Sequence, residues 1–331
     1  MNRRFNRAII AFTVLLVGAV MVINLSIDPF AVFGTSSLPD GPSSNERYRK
    51  IQHLINSHGS YTHLIFGSSR SGMTDPVWID LETGDRTYNL SVFSAGPSDM
   101  RKLYQAYRDI NGPPRAVTVG IDAMAFLSEP DDADLSRRHH PRTDQAPRVS
   151  YWLDYLLAPS LVPILDKLAA RTSPNITFDW HNGTYALVGK NRAIDQDHRQ
   201  YMSDTFDSWV PRNFAAELDV AEWQALLGWL AELAADEVEV TVFLQPMHRQ
   251  WQQRMAPLMP QLRPLLAAIP GLIDLSNLGA DDNRLWYEQR HYRPALARHV
   301  VEVLHRPAAQ VDPETGSAAV FGVALNKLEG K

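Results

Sequence analysis

The sequence predicts an α/β domain, a parallel sheet with helices on both faces, behind a single N-terminal membrane-spanning helix. Three observations carry this expectation. An uncharged stretch of helical length follows three arginines at the N-terminus. Short apolar runs of strand length then alternate with stretches of helical periodicity. Turn and breaker residues fall mostly between these runs.

Met1 to Arg7 carries Arg3, Arg4 and Arg7, and Ala8 to Ile27 contains no charge. About 20 apolar residues at ~1.5 Å each cross a ~30 Å hydrocarbon core. Basic residues before the span favour an N-terminus kept inside and a chain translocated after it. A cleaved signal peptide is the alternative, but Asn24-Leu-Ser-Ile-Asp-Pro-Phe follows in place of a small-x-small site. A buried core helix is the other, and the run is long and evenly apolar for that. The expected organisation is a stub and anchor over 1–27, a linker and first helix over 28–59, and an extracytoplasmic domain over 60–331. An insertion is expected near 128–212.

Residues 28–45 are rich in Pro, Ser and Gly and read as a linker. Helical spacing covers Asn45 to His58. Strands are expected at Thr62 to Phe66, Thr87 to Leu90, Arg115 to Ile121, Val238 to Leu244 and Leu272 to Leu275. Helices are expected at Ser98 to Ile110, capped by Ser98, at Phe214 to Ala235, at Trp251 to Ala268 and at Pro294 to Leu304. Residues 128–148 read as an exposed polar insertion. Val149 to Ala170 reads as helix broken by Pro159 and Pro163, with Asp154 and Asp166 arguing against a second span. Residues 171–212 read as irregular, and the tail from 306 is weakly patterned.

The bulk numbers exclude several chemistries. The 331 residues are enough to bury a core. A net charge of −5 with both signs mixed does not suit a nucleic-acid partner. There is no cysteine, so disulfides, Cys-ligated zinc and cysteine nucleophiles are out.

In parallel sheets, functional groups gather at the carboxyl ends of strands. Two such places carry reactive residues. Gly67-Ser68-Ser69-Arg70 follows the first strand directly. Glu288-Gln-Arg-His291 precedes the last helix. A serine there can offer its own N–H to an oxyanion. A histidine can take its proton and return it, and a nearby carboxylate can orient the ring. Ser69 also reads as a turn or cap residue, His291 as a helix-start residue and Glu288 as a solvated charge, with Asp281 or Asp282 as substitutes in the orienting role. Arg70 reads either as a ligand for an anion or carbonyl or as half of a surface salt bridge. His248, after the strand ending at Leu244, reads as a cleft-edge residue.

The two blocks together resemble the SGNH (GDSL-like) hydrolase superfamily. Gly67-Ser68-Ser69 matches its first block, with Ser69 at the nucleophile position, and Glu288-x-x-His291 matches its last, with Glu in place of Asp. Tyr88-Asn-Leu-Ser-Val-Phe-Ser-Ala lies where a second block supplies a Gly N–H to the oxyanion hole; Ser94 occupies that place and Gly96 is a displaced substitute. Gly120-Ile-Asp122 lies where a third block has Asn, so Asp122 replaces an amide donor. The Gly-Ser-Ser form on an anchored chain is similar to envelope acyl-transfer proteins, among them the D-alanyl transfer protein of the teichoic-acid pathway and alginate O-acetylation proteins. His291-Tyr-Arg-Pro and Phe321-Gly-Val look like other anchored bacterial proteins of this kind. Gly67-x-Ser69-x-Ser71 is also close to the nucleophile elbow of α/β-hydrolases, without its last glycine.

The resemblance implies a flavodoxin-like three-layer fold and a bacterial cytoplasmic-membrane protein whose main domain lies outside. The implied chemistry is serine-dependent acyl transfer, by an O-acyltransferase or esterase, on a cell-envelope glycan. Ser69, His291 and Glu288 would be catalytic, with Ser94, Gly96, Asp122 and Arg70 around the oxyanion and substrate. No cofactor or metal is expected. A multi-spanning membrane acyltransferase is a candidate partner. A catalytically inactive envelope protein that binds glycan or such a partner is the competing expectation. His139-His140 with Asp131, Asp132 and Asp134, and Asp195-Gln-Asp-His198, lack ligand spacing for a metal. Trp180 and Trp286 could stack on sugar rings or fill the core. Asn175-Ile-Thr and Asn182-Gly-Thr match a glycosylation pattern that means little in a bacterial chain.

Overall fold

The computed structural model describes residues 3–57, 61–126, 134–143, 148–209 and 218–305. In chain order the helices are α1 (Arg3–Ile27), α2 (Glu46–Ser57), α3 (Pro76–Thr83), α4 (Pro97–Asn111), α5 (Arg148–Leu157), α6 (Leu161–Ala170), α7 (Val188–Gln196), α8 (His198–Met202), α9 (Val220–Ala235), α10 (Arg249–Met255), α11 (Met259–Ala267) and α12 (Pro294–His305). The strands are β1 (His63–Gly67), β2 (Thr87–Asn89), β3 (Ala116–Ile121), β4 (Thr177–Asp179), β5 (Thr184–Ala186), β6 (Glu239–Leu244), β7 (Ile273–Asp274), β8 (Trp286–Glu288) and β9 (His291–Tyr292).

The chain divides into two compact units. One comprises Met1–Gln52, Asp132–Phe178 and Ala186–Gly189; the other comprises His53–Asp131, Asp179–Tyr185 and Lys190–Lys331. The first unit is built on α1, a 25-residue helix long and apolar enough to cross a membrane. The segment after it, read from sequence as a linker, is packed. Asp28 turns the chain by accepting the N–H groups of Val32 (2.9 Å), Phe33 (3.1 Å) and Gly34 (2.8 Å). Phe30 and Val32 then bury against Tyr48, Tyr151, Tyr155 and Ala158.

The second unit holds a five-stranded sheet in the order β2-β1-β3-β6-β7, parallel throughout. Buried strands of this kind read as continuous apolar runs because helices cover both faces. Alternation along β1 sends neighbours to opposite sides. Ile65 packs with Ile79 of α3 and Val301 of α12. Phe66 meets Trp229 of α9 edge-on at 5.0 Å and Tyr104 of α4 at 6.5 Å. The chain leaves β1 toward β2 on one side and later returns to β3 on the other. The order therefore reverses between β1 and β3, which leaves a crevice at their carboxyl ends.

Several elements differ from the sequence expectation. Residues 171–209 are not irregular: β4, β5, α7, α8 and a π-helical turn at Ser203–Asp207 lie there; residues 210–212 lie outside the described residues. The helix expected from Phe214 starts at Val220, where Asp219 accepts from the Ala221 N–H at 2.9 Å as its cap; residues 214–217 lie outside the described residues. Trp251 to Ala268 is two helices, because Pro257 and Pro260 interrupt the backbone donors. Ser98 does not cap α4. Gly96 holds that position, and Glu222 accepts the Ser98 N–H at 2.8 Å from across the fold. A side chain at Gly96 would collide with that same carboxylate. Helix α3 was not expected, although Asp75-Pro76 at its start and Gly84 at its end are cap signals. Part of the polar insertion (128–133 and 144–147) and the tail with Phe321-Gly-Val lie outside the described residues.

Candidate active site

Ser69 follows β1 at the reversal point of the sheet. Strand β1 is buried along its length, and Ser69 is the half-exposed residue where the chain leaves it. A short 3₁₀ turn at Ser71–Met73 then carries the chain away from the crevice. The Ser69 carbonyl accepts a hydrogen bond from the Tyr185 hydroxyl. The Tyr185 ring lies edge-on to Phe93 at 4.8 Å and close above Gly72, where any side chain would strike it. The Ser69 N–H donates to no described residue, so it is available to an oxygen in the crevice.

His291 reaches Ser69 from the other end of the unit's sequence. Its Nε2 lies 2.9 Å from Ser69 Oγ. Its Nδ1 is hydrogen-bonded to Glu288 Oε1. With the proton on Nδ1, held by the carboxylate, Nε2 presents its lone pair to the serine hydroxyl. Both residues stand on a hairpin not foreseen from sequence. Strands β8 and β9 are antiparallel, and Glu288 pairs directly with His291 across a two-residue connection, Gln289-Arg290.

Glu288 is held ionised. Burial works to raise its pKa, but the hydrogen bond and charge of His291 and the ammonium of Lys190 outweigh this and hold it at about 2. Lys190 Nζ, from α7, lies 3.4 Å from Glu288 Oε1. Asp281 and Asp282 are engaged elsewhere. Asp281 pairs with Arg249 at 2.8 Å, and Asp282 accepts from the Arg284 backbone and side chain.

Arg70 and Asp122 form a buried pair beneath this arrangement. Arg70 is 2% exposed, not a surface residue. Its Nε lies 3.3 Å from Asp122 Oδ2, and its Nη1 donates to the Pro246 carbonyl at 3.1 Å. Asp122 also accepts the Met124 N–H at 3.0 Å and the Ser68 hydroxyl at 3.4 Å. The two charges therefore serve each other, and they tie the ends of β1, β3 and β6 together. Arg70 Nη2 is buried and hydrogen-bonded to no described residue.

The loop after β2 runs along the same edge. Leu90 N–H donates to Ile65 O at 2.8 Å and Val92 N–H to Gly67 O at 3.1 Å. Ser94 follows with φ of +51°, a left-handed backbone that glycine adopts freely and serine does not. Non-glycine residues in that region gather at functional sites.

A buried relay joins the serine loop to the histidine hairpin. Gln245 Nε2 donates to Ser71 Oγ, and the Tyr292 hydroxyl donates to Gln245 Oε1 at 2.8 Å. Gln245 is fully buried at the end of β6, and Tyr292 is the residue after His291. The sequence assigns no role to Gln245, Tyr292, Tyr185 or Lys190. Gln245 carries a signal in its place directly after a strand, and Tyr292 in its place beside His291 in the His-Tyr-Arg-Pro block.

Other sequence candidates have ordinary partners. His248 is buried between Phe206 (4.9 Å) and Trp286 (5.5 Å), caps α10 and is hydrogen-bonded to Asn283 at 2.8 Å. Burial lowers its pKa. Trp286 is a core residue, donating to the Gly279 carbonyl at 2.8 Å. His140 stacks on Tyr48 at 4.9 Å, and Asp134 and Asp197 are helix caps; Asp131 and Asp132 lie outside the described residues. Among the described residues no group of three His, Asp or Glu converges as a metal site.

No protein-family model matches the chain, and no curated protein matches it.

Proposed function

We propose that this chain is a membrane-anchored serine acyl-transfer enzyme of the SGNH type. It would sit in the bacterial cytoplasmic membrane through α1, with its catalytic unit outside, and act on a cell-envelope glycan. The observation that carries the proposal is the 2.9 Å contact of Ser69 Oγ with His291 Nε2, backed by Glu288 on Nδ1. Its place beside the reversal of a parallel sheet adds support, as does Ser94 holding a glycine-like backbone where the resembled family has glycine.

In this reading Ser69 Oγ attacks the carbonyl carbon of an acyl donor while its proton passes to His291 Nε2. Glu288 stabilises the imidazolium that forms. The negative oxygen of the tetrahedral intermediate takes the Ser69 N–H and a donor from the Ser94–Gly96 loop. Collapse breaks the bond to the leaving group, which takes the proton from His291 and leaves an acyl-Ser69 ester. A glycan hydroxyl (transfer) or water (hydrolysis), deprotonated by His291, then releases the acyl group. The chemistry needs no cofactor.

A second reading is favoured by Asp122. It stands where the family has an amide donor, and its carboxylate is committed to Arg70. A non-catalytic protein that binds glycan or docks a multi-spanning acyltransferase would tolerate that change. Fluorophosphonate labelling of the full chain in detergent separates the two. An adduct mapped to Ser69, absent in Ser69→Ala and accompanied by acyl-ester turnover, supports the enzyme. No adduct at Ser69, with partner and across pH, rejects it.

A further inference from the structure

Helices α5 and α6, in the first unit, turn a largely apolar face outward. The inward side of α5 is Tyr151, Tyr155 and Ala158, buried in the core of that unit. Its outward side shows Val149, Leu153 and Leu157, four residues apart and each at least 40% exposed; Ser150 and Asp154 flank them, and the Asp154 carboxylate is paired with Arg138. In α6 every exposed residue is apolar: Leu161, Val162, Leu165, Leu168 and Ala169. The charges of α6 are withdrawn from this face. Lys167 is buried, donating to the Asp28 carbonyl at 2.6 Å and to Asp40 Oδ1 at 3.2 Å. Asp166 accepts from Ser43 at 3.3 Å. A water-facing helix has the opposite arrangement, polar side out.

The position of this face along α1 identifies what covers it. Asn24 is 2% exposed, and its amide donates to the carbonyls of Leu156 (2.9 Å) and Ala158 (3.0 Å). Carbonyls at a helix end lack intrahelical donors, so this contact satisfies both partners and pins the α5–α6 corner to one level of α1. From Arg7 to Asn24 the helix rises roughly 26 Å at ~1.5 Å per residue, close to a ~30 Å hydrocarbon core. The corner therefore meets the far boundary of any bilayer that α1 crosses. Amphipathic helices rest at that depth with the apolar side about 5–10 Å into the acyl boundary.

We infer that α5 and α6 form an interfacial surface that lies in the outer leaflet of the membrane. The anchor is then not a simple tether. It is one part of a lipid-seated unit fixed by Asn24, Lys167 and the Tyr151–Tyr155 core. The inference rests on α1 as a span and is independent of the chemistry assigned to Ser69.

The chain has no cysteine, so single labels are clean. Leu157→Cys, Leu165→Cys, Leu15→Cys in α1 and the exposed Lys102→Cys are labelled with an environment-sensitive fluorophore. The full chain is placed in vesicles of phosphatidylethanolamine and phosphatidylglycerol. Labels at 157 and 165 should be quenched by shallow nitroxide lipids and several-fold less by aqueous iodide than the label at 102. If they match position 102 while position 15 is lipid-quenched, the surface faces water and the inference fails alone. If position 15 is not lipid-quenched, the span and the inference fail together. Protection of 157 and 165 from both quenchers would mean protein covers the face, which also overturns it.

Discussion

Glu288 and His291 face each other across a two-residue hairpin, so the carboxylate and the imidazole it orients are cross-strand neighbours. The Glu-x-x-His spacing is thus a register, not a loop that happens to fold back. Cross-strand pairs fix side chains about 5 Å apart and hold them there without help from distant elements. Tyr292 adds the link to Gln245 and Ser71, which keeps the hairpin at the serine loop. Glu288→Gln keeps the shape but offers an amide where the imidazole N–H needs an acceptor. Turnover of an acyl ester should fall by up to ~10⁴-fold, the scale seen when a triad carboxylate becomes an amide. Because Glu288 is ionised down to about pH 2, its protonation does not set the acid limb of the wild-type profile. An unchanged rate in Glu288→Gln would remove Glu288 from the site.

The Arg70–Asp122 pair is a stability device under the crevice. Breaking a buried ion pair by removing one partner costs about 3–5 kcal/mol, because a buried charge is left uncompensated. Asp122→Ala should therefore lower the thermal midpoint of the full chain in detergent by a large margin. The double change Arg70→Met with Asp122→Leu should recover most of that loss, since apolar replacement removes both desolvation terms. Equal destabilisation in the single and double variants would show that the pair is not what Asp122 contributes.

The sheet strands were legible because β1 and β3 are buried along their length, and β6 over Val242 to Leu244, and so read as apolar runs. Ser69 was legible because it directly follows a strand, and His291 because it closes a Glu-x-x-His spacing just before the last helix. What holds them was not. Gln245 and Tyr292 act through a hydrogen bond between residues 47 apart in sequence, and Tyr185 reaches Ser69 from 116 residues away. No local pattern encodes such contacts. Strands β8 and β9 were missed because His291 and Tyr292 make a strand of two residues, shorter than any periodicity can mark. Arg70 was read as exposed because its ion-pair partner lies after a different strand.

Tyr185 offers a test of how far the serine loop is held in place. Its hydroxyl donates to the Ser69 carbonyl while its ring packs on Phe93 and Gly72. Tyr185→Phe keeps the packing and removes one hydrogen bond, which costs about 1 kcal/mol of stability. A shift of the nucleophile by even part of an ångström reduces the fraction of bound substrate in attack geometry. The expected result is a fall of roughly tenfold in kcat with little change in KM. A change confined to KM would place Tyr185 in substrate binding instead.

On the central strand β3, Thr118 Oγ1 stands between two imidazoles, 2.8 Å from His63 Nε2 and 3.2 Å from His305 Nε2. One hydroxyl can donate to one ring and accept from the other, whereas two protonated rings would set two positive charges around one buried oxygen. Burial lowers the pKa of both histidines. For His305, burial and the proximity of His63 bring it to about 4, against the pull of Asp85 and Glu82. For His63, burial outweighs the hydrogen bond to Asp85, and Arg115 adds to the lowering. The unfolded chain takes up a proton at His305 near pH 6.5, whereas the folded chain resists until about pH 4. Between those values the unfolded state binds more protons, so stability falls as pH falls through the window. The effect of His305 alone is on the order of 3 kcal/mol. Thermal midpoints of the full chain in detergent should therefore decline from pH 7 toward pH 4.5, and His305→Gln should flatten the decline. A slope that His305→Gln leaves unchanged would show that His305 does not carry the acid sensitivity.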